Sequence, residues 1–362
     1  MKYLTIASIT ALFSIISAQN VSPATSESYP SGAPVPKPEW LDLIKGSSVA
    51  DAPVLKNNGA NGPSVSGSDN FCDWAKSGCV GSSIADCPKG QWGLTYDDGP
   101  SDVSPVLYDF LKTTNQKATL FMIGKNVIRY PDTVKRAYED GHEIAIHTWT
   151  HSYMTTLSNE QIVGELKWTE LAIKNIIGVS PRLFRPPYGD IDNRVRDIAT
   201  ALGFTSVIWD HDTNDWMLAE QASFNEEWID GNFSKWIDEA STATTGGLSL
   251  EHDIKNVTVQ AAIRNLPALQ QAYKVVTVGQ CAGLASYKES NTTIPLNASA
   301  IATLSAPASS TVMPPTSVAA TPAAAAVTGI NAANNIHSGT VQNNHISGIG
   351  LFMSLMIGYY LI

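Results

Sequence analysis

Two adjacent carboxylates, Asp97 and Asp98, follow an apolar and aromatic lead-in, Leu94-Thr95-Tyr96, and precede Gly99-Pro100, which stops a strand. Adjacent strand residues face opposite sides, so both carboxylates can serve one site only where the strand ends and the chain turns. Some fifty residues on, His147 and His151 stand four apart across Thr148-Trp149-Thr150. On a turn or a one-turn helix, two imidazoles at that spacing can converge on a cation. One carboxylate of the aspartate pair would complete a facial set with open coordination positions. Three more clusters keep them company: Arg185-Pro186-Pro187-Tyr188-Gly189, Asp212-Thr213-Asn214-Asp215-Trp216 and Leu250-Glu251-His252-Asp253. An Asp-Asp-Gly turn alone reads as a solvated loop. Its recurrence with His, Asp and Arg, in a chain of only seven histidines, points to chemistry.

The elements that must position these groups follow a strand, loop, helix rhythm. Strands are expected at residues 92–96, 118–123, 143–147, 183–184, 205–209, 248–250 and 274–278. Helices are expected at residues 103–113, 131–140, 159–177, 192–202, 224–240 and 259–273, the longest capped by Ser158 with Gln161 three residues later. Alternation of this kind means an α/β fold with parallel strands and right-handed crossovers. A barrel of seven or eight units is the first expectation and an open parallel sheet the second. All five clusters fall just after strands, where a barrel mouth gathers groups from several strand ends.

The two ends of the chain read differently from its centre. Residues 1–18 have the form of a signal peptide, with Lys2, an apolar run and Ser17-Ala18. Residues 19–69 are rich in Ser, Pro, Gly and Asn, with one short amphipathic piece at residues 40–45, and read as a loosely attached arm or a pro-segment. Residues 70–285, which carry the five clusters, are expected to form the catalytic domain. Residues 286–330, dominated by Ser, Thr, Ala and Pro, read as an O-glycosylated stalk. Residues 331–362 then give small residues at Asn331-Ala332-Ala333, a polar spacer and an apolar tail, the three parts of a GPI-attachment signal, with Asn331 the attachment point. The rival reading is a membrane span. The 17-residue tail at about 1.5 Å per residue would reach only about 25 Å of a hydrocarbon core of about 30 Å. The expected locations are therefore the cell membrane, through the lipid anchor, and the cell wall.

Export makes the four cysteines, Cys72, Cys79, Cys87 and Cys281, disulfide candidates and not metal ligands. Four cysteines allow three pairings; Cys72 with Cys281 and Cys79 with Cys87 would tie the domain ends and pin a local loop. Sequons stand at Asn20, Asn232, Asn256, Asn291 and Asn297. A net charge of -10 with 15% charged residues argues against nucleic acid as partner. A monomer is expected.

The five clusters, in this order, resemble the motifs of the polysaccharide deacetylase (NodB-homology carbohydrate esterase) family, over residues 91–280. With the stalk, the anchor signal and the arm, the resemblance is strongest to GPI-anchored fungal chitin deacetylases. It implies a distorted (β/α) barrel and one divalent metal ion, Zn2+ or Co2+, held by Asp98, His147 and His151. It implies Asp97 as general base, oriented by Arg185, and His252 as general acid, tuned by Asp215. It also implies that the Tyr188 backbone N–H helps hold the oxyanion, while Trp216 and Leu250 wall the acetyl pocket. The implied reaction removes N-acetyl groups from N-acetylglucosamine residues of chitin, giving chitosan and acetate.

Amide hydrolysis needs this inventory on chemical grounds as well. A poor electrophile needs a Lewis acid, the attacking water needs a base in reach, the developing oxyanion needs a donor, and an amine leaves only when protonated. An ester would be served equally well, so O-deacetylation of acetylated xylan or another wall glycan is the enzymatic alternative. A chitin-binding wall protein with a decayed site is the non-enzymatic one, and no ligand or base is missing to favour it. Exposed tryptophans such as Trp149 are expected to stack on sugar faces. His142, His211 and Asp212 read as structural, Glu251 as lying on the strand side opposite His252, and His337 and His345 as part of the removed signal.

Overall fold

A computed structural model describes residues 27–59, 62–64 and 66–289. The signal peptide, most of the stalk and the anchor signal, with Asn20, Asn291, Asn297 and Asn331, lie outside the described residues. In chain order the elements are α1 (Pro38–Leu41), α2 (Trp74–Ser77), β1 (Gln91–Gly93), β2 (Thr95–Asp97), α3 (Ser104–Thr113), β3 (Thr119–Met122), α4 (Gly124–Arg129), α5 (Pro131–Glu139), β4 (Glu143–Ile146), α6 (Asn159–Ile177), β5 (Leu183–Phe184), α7 (Asn193–Ala201), β6 (Thr205–Ser206), β7 (His211–Asp212), α8 (Met217–Glu220), α9 (Glu227–Glu239), β8 (Gly247–Leu250), α10 (Asn256–Ala272), β9 (Lys274–Val276) and α11 (Val278–Ala282). No helix among the described residues is long and apolar enough to cross a membrane.

All the strands pair in parallel, in two sheets of order β7-β8-β1-β9 and β2-β3-β4-β5-β6. The expected first strand is split at Leu94, whose N–H donates to Val276 O on one side while its carbonyl accepts from Thr119 N on the other. One pass of chain thus belongs to both sheets. The sheets meet again where Asp210 N donates to Leu248 O and where Asp97 pairs with His252. The result is a distorted (β/α) barrel.

The two-residue strand period decides what enters the barrel. Phe121, Ala145, Leu183, Val207 and Leu248 form an inner cluster, whereas their neighbours Leu120, Ile144, Ile146 and Phe184 pack outward against the helices in the main core. Asp97 is in register with Phe121, His147 stands two residues after Ala145, and Arg185 two after Leu183. The inward parity therefore carries three polar side chains to the mouth, above an apolar plug. α6 begins with the expected box, the Ser158 side chain accepting from Gln161 N and Ser158 N donating to the Gln161 side chain.

Two expectations are corrected. Cys72 pairs with Cys79 and Cys87 with Cys281. Gly78, in the left-handed region at the end of α2, turns the chain back and brings Cys79 to Cys72. Because β1 and β9 are neighbours, the segments flanking them, which carry Cys87 and Cys281, meet. The second correction concerns the arm. Residues 27–59 of it are packed on the barrel: Trp168 Nε1 donates to Val35 O, Ala50 N to Asp197 Oδ2 and Leu55 N to Thr155 O.

Candidate metal and proton-transfer site

The turn required after Asp97 is present in the backbone: Asp98 adopts φ 73. Thr148, His151, Tyr188 and Asn214, all within the motifs, are likewise left-handed, with φ of 61, 60, 60 and 57. Such conformations cost on the order of 1–3 kcal/mol each and persist where their surroundings over-determine them. Gly99 closes the first turn, since a Cβ there would stand 2.3 Å from Asp253 Oδ1.

Asp98 Oδ1 lies 3.2 Å from His147 Nε2 and 3.1 Å from His151 Nε2. His147 Nδ1 is 2.9 Å from the Arg185 carbonyl, which only accepts, so Nδ1 carries the proton. Nε2 then turns a lone pair toward a carboxylate oxygen that is buried and has no hydrogen-bond partner. Two lone-pair atoms held this close call for a cation between them. The separations are near the roughly 3.3 Å edge made by ligands about 2.0 Å from a tetrahedral ion. All three donors lie within 4.8 Å of one another. A divalent metal ion fits this donor set. The set is open on one side, with side-chain exposures of 14% for Asp98 and 21% for His151 against 3% for His147.

Beside it, Arg185 Nη1 donates to Asp97 Oδ1 at 2.8 Å and to Thr95 Oγ1 at 2.7 Å, and Nη2 to Ile208 O at 3.3 Å. The guanidinium is fully buried, 4.3 Å from the Phe121 ring centroid. It therefore holds Asp97 from below and leaves Oδ2 toward the histidines, 3.9 Å from His147 Nε2.

On the opposite rim, Asp215 takes two donors of His252, Nδ1 at 2.7 Å and the peptide N–H at 2.8 Å. Burial would lower the imidazole, but the Asp215 carboxylate overrides it and, with Asp98 and Asp97, lifts His252 to about 10. His252 is an imidazolium at neutral pH. Leu250 is buried at the end of β8, and half-buried Trp216 follows Asp215. Tyr188 sits in a 3-10 turn with its hydroxyl 3.0 Å from His151 Nδ1 and its ring stacked on Tyr153 at 4.0 Å.

Other expectations fall as follows. His142 is buried and accepts from Ala118 N, and burial with Lys117 lowers it to about 4. His211 bonds Asp210, Asp212 accepts from Asn214 N within its loop, and Glu251, buried behind His252, accepts from Ser249 Oγ. Asn256 is exposed, whereas the Asn232 amide donates to Thr213 O from within α9. Trp149 overturns its expectation: it is fully buried, its indole N–H donating to Pro30 O, and offers no face to a sugar. Missed entirely is Glu165 on α6, whose carboxylate accepts from Trp149 N, Thr150 N and Thr150 Oγ1 and so holds the loop between the histidines. Asp190 similarly ties Thr155 to the Tyr188 turn. A glutamate on the inner stripe of a long helix was the only available signal for the first.

The polysaccharide deacetylase family profile matches residues 85–207. Chitin deacetylase 2 of Cryptococcus neoformans var. grubii is 40% identical over 248 residues, 65% of this chain and 54% of that protein. Chitin deacetylase 3 of Cryptococcus neoformans var. neoformans is 38% identical over 281 residues, 73% of this chain and 66% of that protein. The chain thus spans about half the length of the first curated relatives it matches. Among solved structures, the chitin deacetylase of Colletotrichum lindemuthianum is similar at a TM-score of 0.52 and 31% identity, over 58% of this chain and 96% of that one.

Proposed function

The chain belongs to the polysaccharide deacetylase family, and from that premise we propose that it hydrolyses the N-acetyl groups of N-acetylglucosamine residues in chitin, giving chitosan and acetate. The observation that carries this reading is the buried, unpartnered Asp98 oxygen facing the His147 lone pair, 3.2 Å away, beside an arginine-held Asp97. Asp98, His147 and His151 would hold one Zn2+ or Co2+ ion, which when bound supplies a Lewis acid that polarises the amide carbonyl and acidifies water. Asp97 accepts the proton of the water that attacks the carbonyl carbon. Arg185 keeps Asp97 oriented as it does so. The Tyr188 peptide N–H donates to the developing oxyanion. When the C–N bond breaks, His252 delivers its proton to the leaving amine, and Asp215 keeps the proton available. Trp216 and Leu250 enclose the acetyl methyl.

Disulfides and fungal chitin deacetylase relatives support an exported or wall-located protein. Retention through a GPI lipid at Asn331, glycan at exposed Asn256, the 70–285 catalytic domain and a monomeric state complete the proposal. Mass spectrometry of products from defined chitin oligomers tests it, after chelation and after Zn2+ or Co2+ is restored. Loss and recovery of 42-Da steps, about the mass of one acetyl group exchanged for hydrogen, are expected on metal removal and return. Release of acetate from acetylated xylan but none from chitin oligomers would replace the amide reading with the ester one.

A further inference from the structure

The loop between the two metal-side histidines is held from three directions. Glu165 takes its peptide N–H groups from α6. Gly124 N donates to Thr148 O, and Gly124 has no room for a Cβ, which would meet Trp149 Cε3 at 2.3 Å. The third hold comes from a segment more than a hundred residues away in sequence. Tyr29 stacks on Trp149 at 5.8 Å with a 19° interplanar angle, and Trp149 Nε1 donates to Pro30 O at 3.1 Å.

That segment is itself anchored at several points along its length. Asn175 Nδ2 donates to Tyr29 Oη at 2.8 Å, and Trp168 Nε1 to Val35 O at 2.7 Å. The helix is notched for the crossing, because a Cβ on Gly164 would stand 2.4 Å from Pro34 O. Trp40 packs edge-on to Trp168 at 5.0 Å, with Lys37 Nζ over both rings. The chain then runs past α7, where Ala50 N meets Asp197, and returns to the mouth, where Leu55 N donates to Thr155 O. Gly62 lies against the Tyr153 ring that stacks on Tyr188. The segment therefore touches the histidine loop at Trp149 and the chain just beyond it at Thr155, with Gly62 past its end against Tyr153.

We propose that residues 27–58 are a strap that positions the metal-ligating loop, with Tyr29 and the Pro30 carbonyl as the contacts that act through Trp149. The inference rests on the reading that Asp98, His147 and His151 hold a divalent ion. Thr148 and His151 are non-glycine residues at positive φ, so the loop that presents both imidazoles relaxes when its outer face is released. Tyr29 and Trp149 are positioning residues and touch no ligand atom.

The test is Zn2+ affinity of the full chain, read by competition with a chromophoric chelator. Tyr29→Ala should weaken Zn2+ binding about 10-fold, the lower end for partners that orient ligands from outside the coordination shell. Tyr29→Phe, which loses only the bond to Asn175, should stay within about 2-fold. Excess Zn2+ should restore kcat in Tyr29→Ala with KM unchanged. Leu266→Ala, in the core of α10, serves as a variant destabilised far from the loop. If Tyr29→Ala fails to fold, Trp149→Phe keeps a ring in place and removes the N–H to Pro30, with about a 3- to 10-fold loss expected. Affinity equal to wild type, or a loss matched by Leu266→Ala at equal drop in Tm, overturns the strap and leaves the metal reading standing. Wild-type protein that takes up no Zn2+ at all overturns both.

Discussion

The two rims of the barrel mouth use the same residue types to opposite ends. On the five-stranded side, His147 gives its Nδ1 proton to a backbone carbonyl, so that Nε2 is left as a lone pair facing Asp98. On the four-stranded side, His252 gives Nδ1 to the Asp215 carboxylate, which holds a second proton on the ring up to about pH 10. An imidazole beside an aspartate is therefore a cation ligand or a proton store according to what its far nitrogen touches. The seam at Leu94 and the pairing of Asp97 with His252 bring the two rims together.

The contrast is broken most severely by Asp98→Asn. It should lose bound Zn2+ and activity together, with partial recovery at high metal, as seen by elemental analysis beside acetate release. Asp97→Asn should lower turnover by about 10²- to 10⁴-fold, the usual contribution of a general base, while Zn2+ stays near one per chain. Zinc lost from Asp97→Asn and kept by Asp98→Asn would reverse the two roles.

Asp215→Asn tests the other rim. Without that carboxylate, His252 should fall from about 10 toward its ordinary 6.5. The alkaline limb of the pH–rate profile should move down with it, leaving a chain inactive where the parent is still working. The same shift enters stability. A raised imidazole contributes stability that is complete below about 6.5 and is lost as pH climbs through about 10. The Asp215→Asn melting curve should therefore depend less on pH across that window. An unmoved limb would assign the acid elsewhere.

The smallest effect is expected at Asp190. Burial pushes this carboxyl up to about 7 despite its bonds from Thr155. Its ionisation in the folded state is unfavourable, so stability should fall as pH rises from about 4 to about 7. Asp190→Asn should flatten that slope, with a Tm change of a few degrees, about what one altered hydrogen bond makes in a domain of this size. Thermal melts at pH 4 and pH 7 decide it.

Much of this site can be read from local sequence because inward parity and strand ends are local properties. Phe121, Ala145 and Leu183 announce which face of each strand is inside, and Asp97, His147 and Arg185 inherit it. α6 is legible from end to end since Ser158 and Gln161 form its cap. What local pattern cannot convey is which distant segment covers a given side chain. Trp149 reads as a free indole until Tyr29 and Pro30 are laid over it. The arm itself has a loop-like composition: its backbone bonds go to α6, α7 and the loop at Thr155, and its own pairing is confined to the bridge between Asn57 and Pro63. The cysteine pairing fails for the same reason: it follows from β1 lying beside β9, a topological fact that spacing does not carry.

The central claim is that Asp98 and the imidazoles of His147 and His151 enclose a cation. Crystals of the full chain equilibrated with Zn2+ and measured at the zinc absorption edge test it most directly. The account predicts one anomalous peak at about 2.0–2.2 Å from an Asp98 carboxylate oxygen, His147 Nε2 and His151 Nε2. A peak that avoids this triad, or no peak at full Zn2+ saturation, would contradict it.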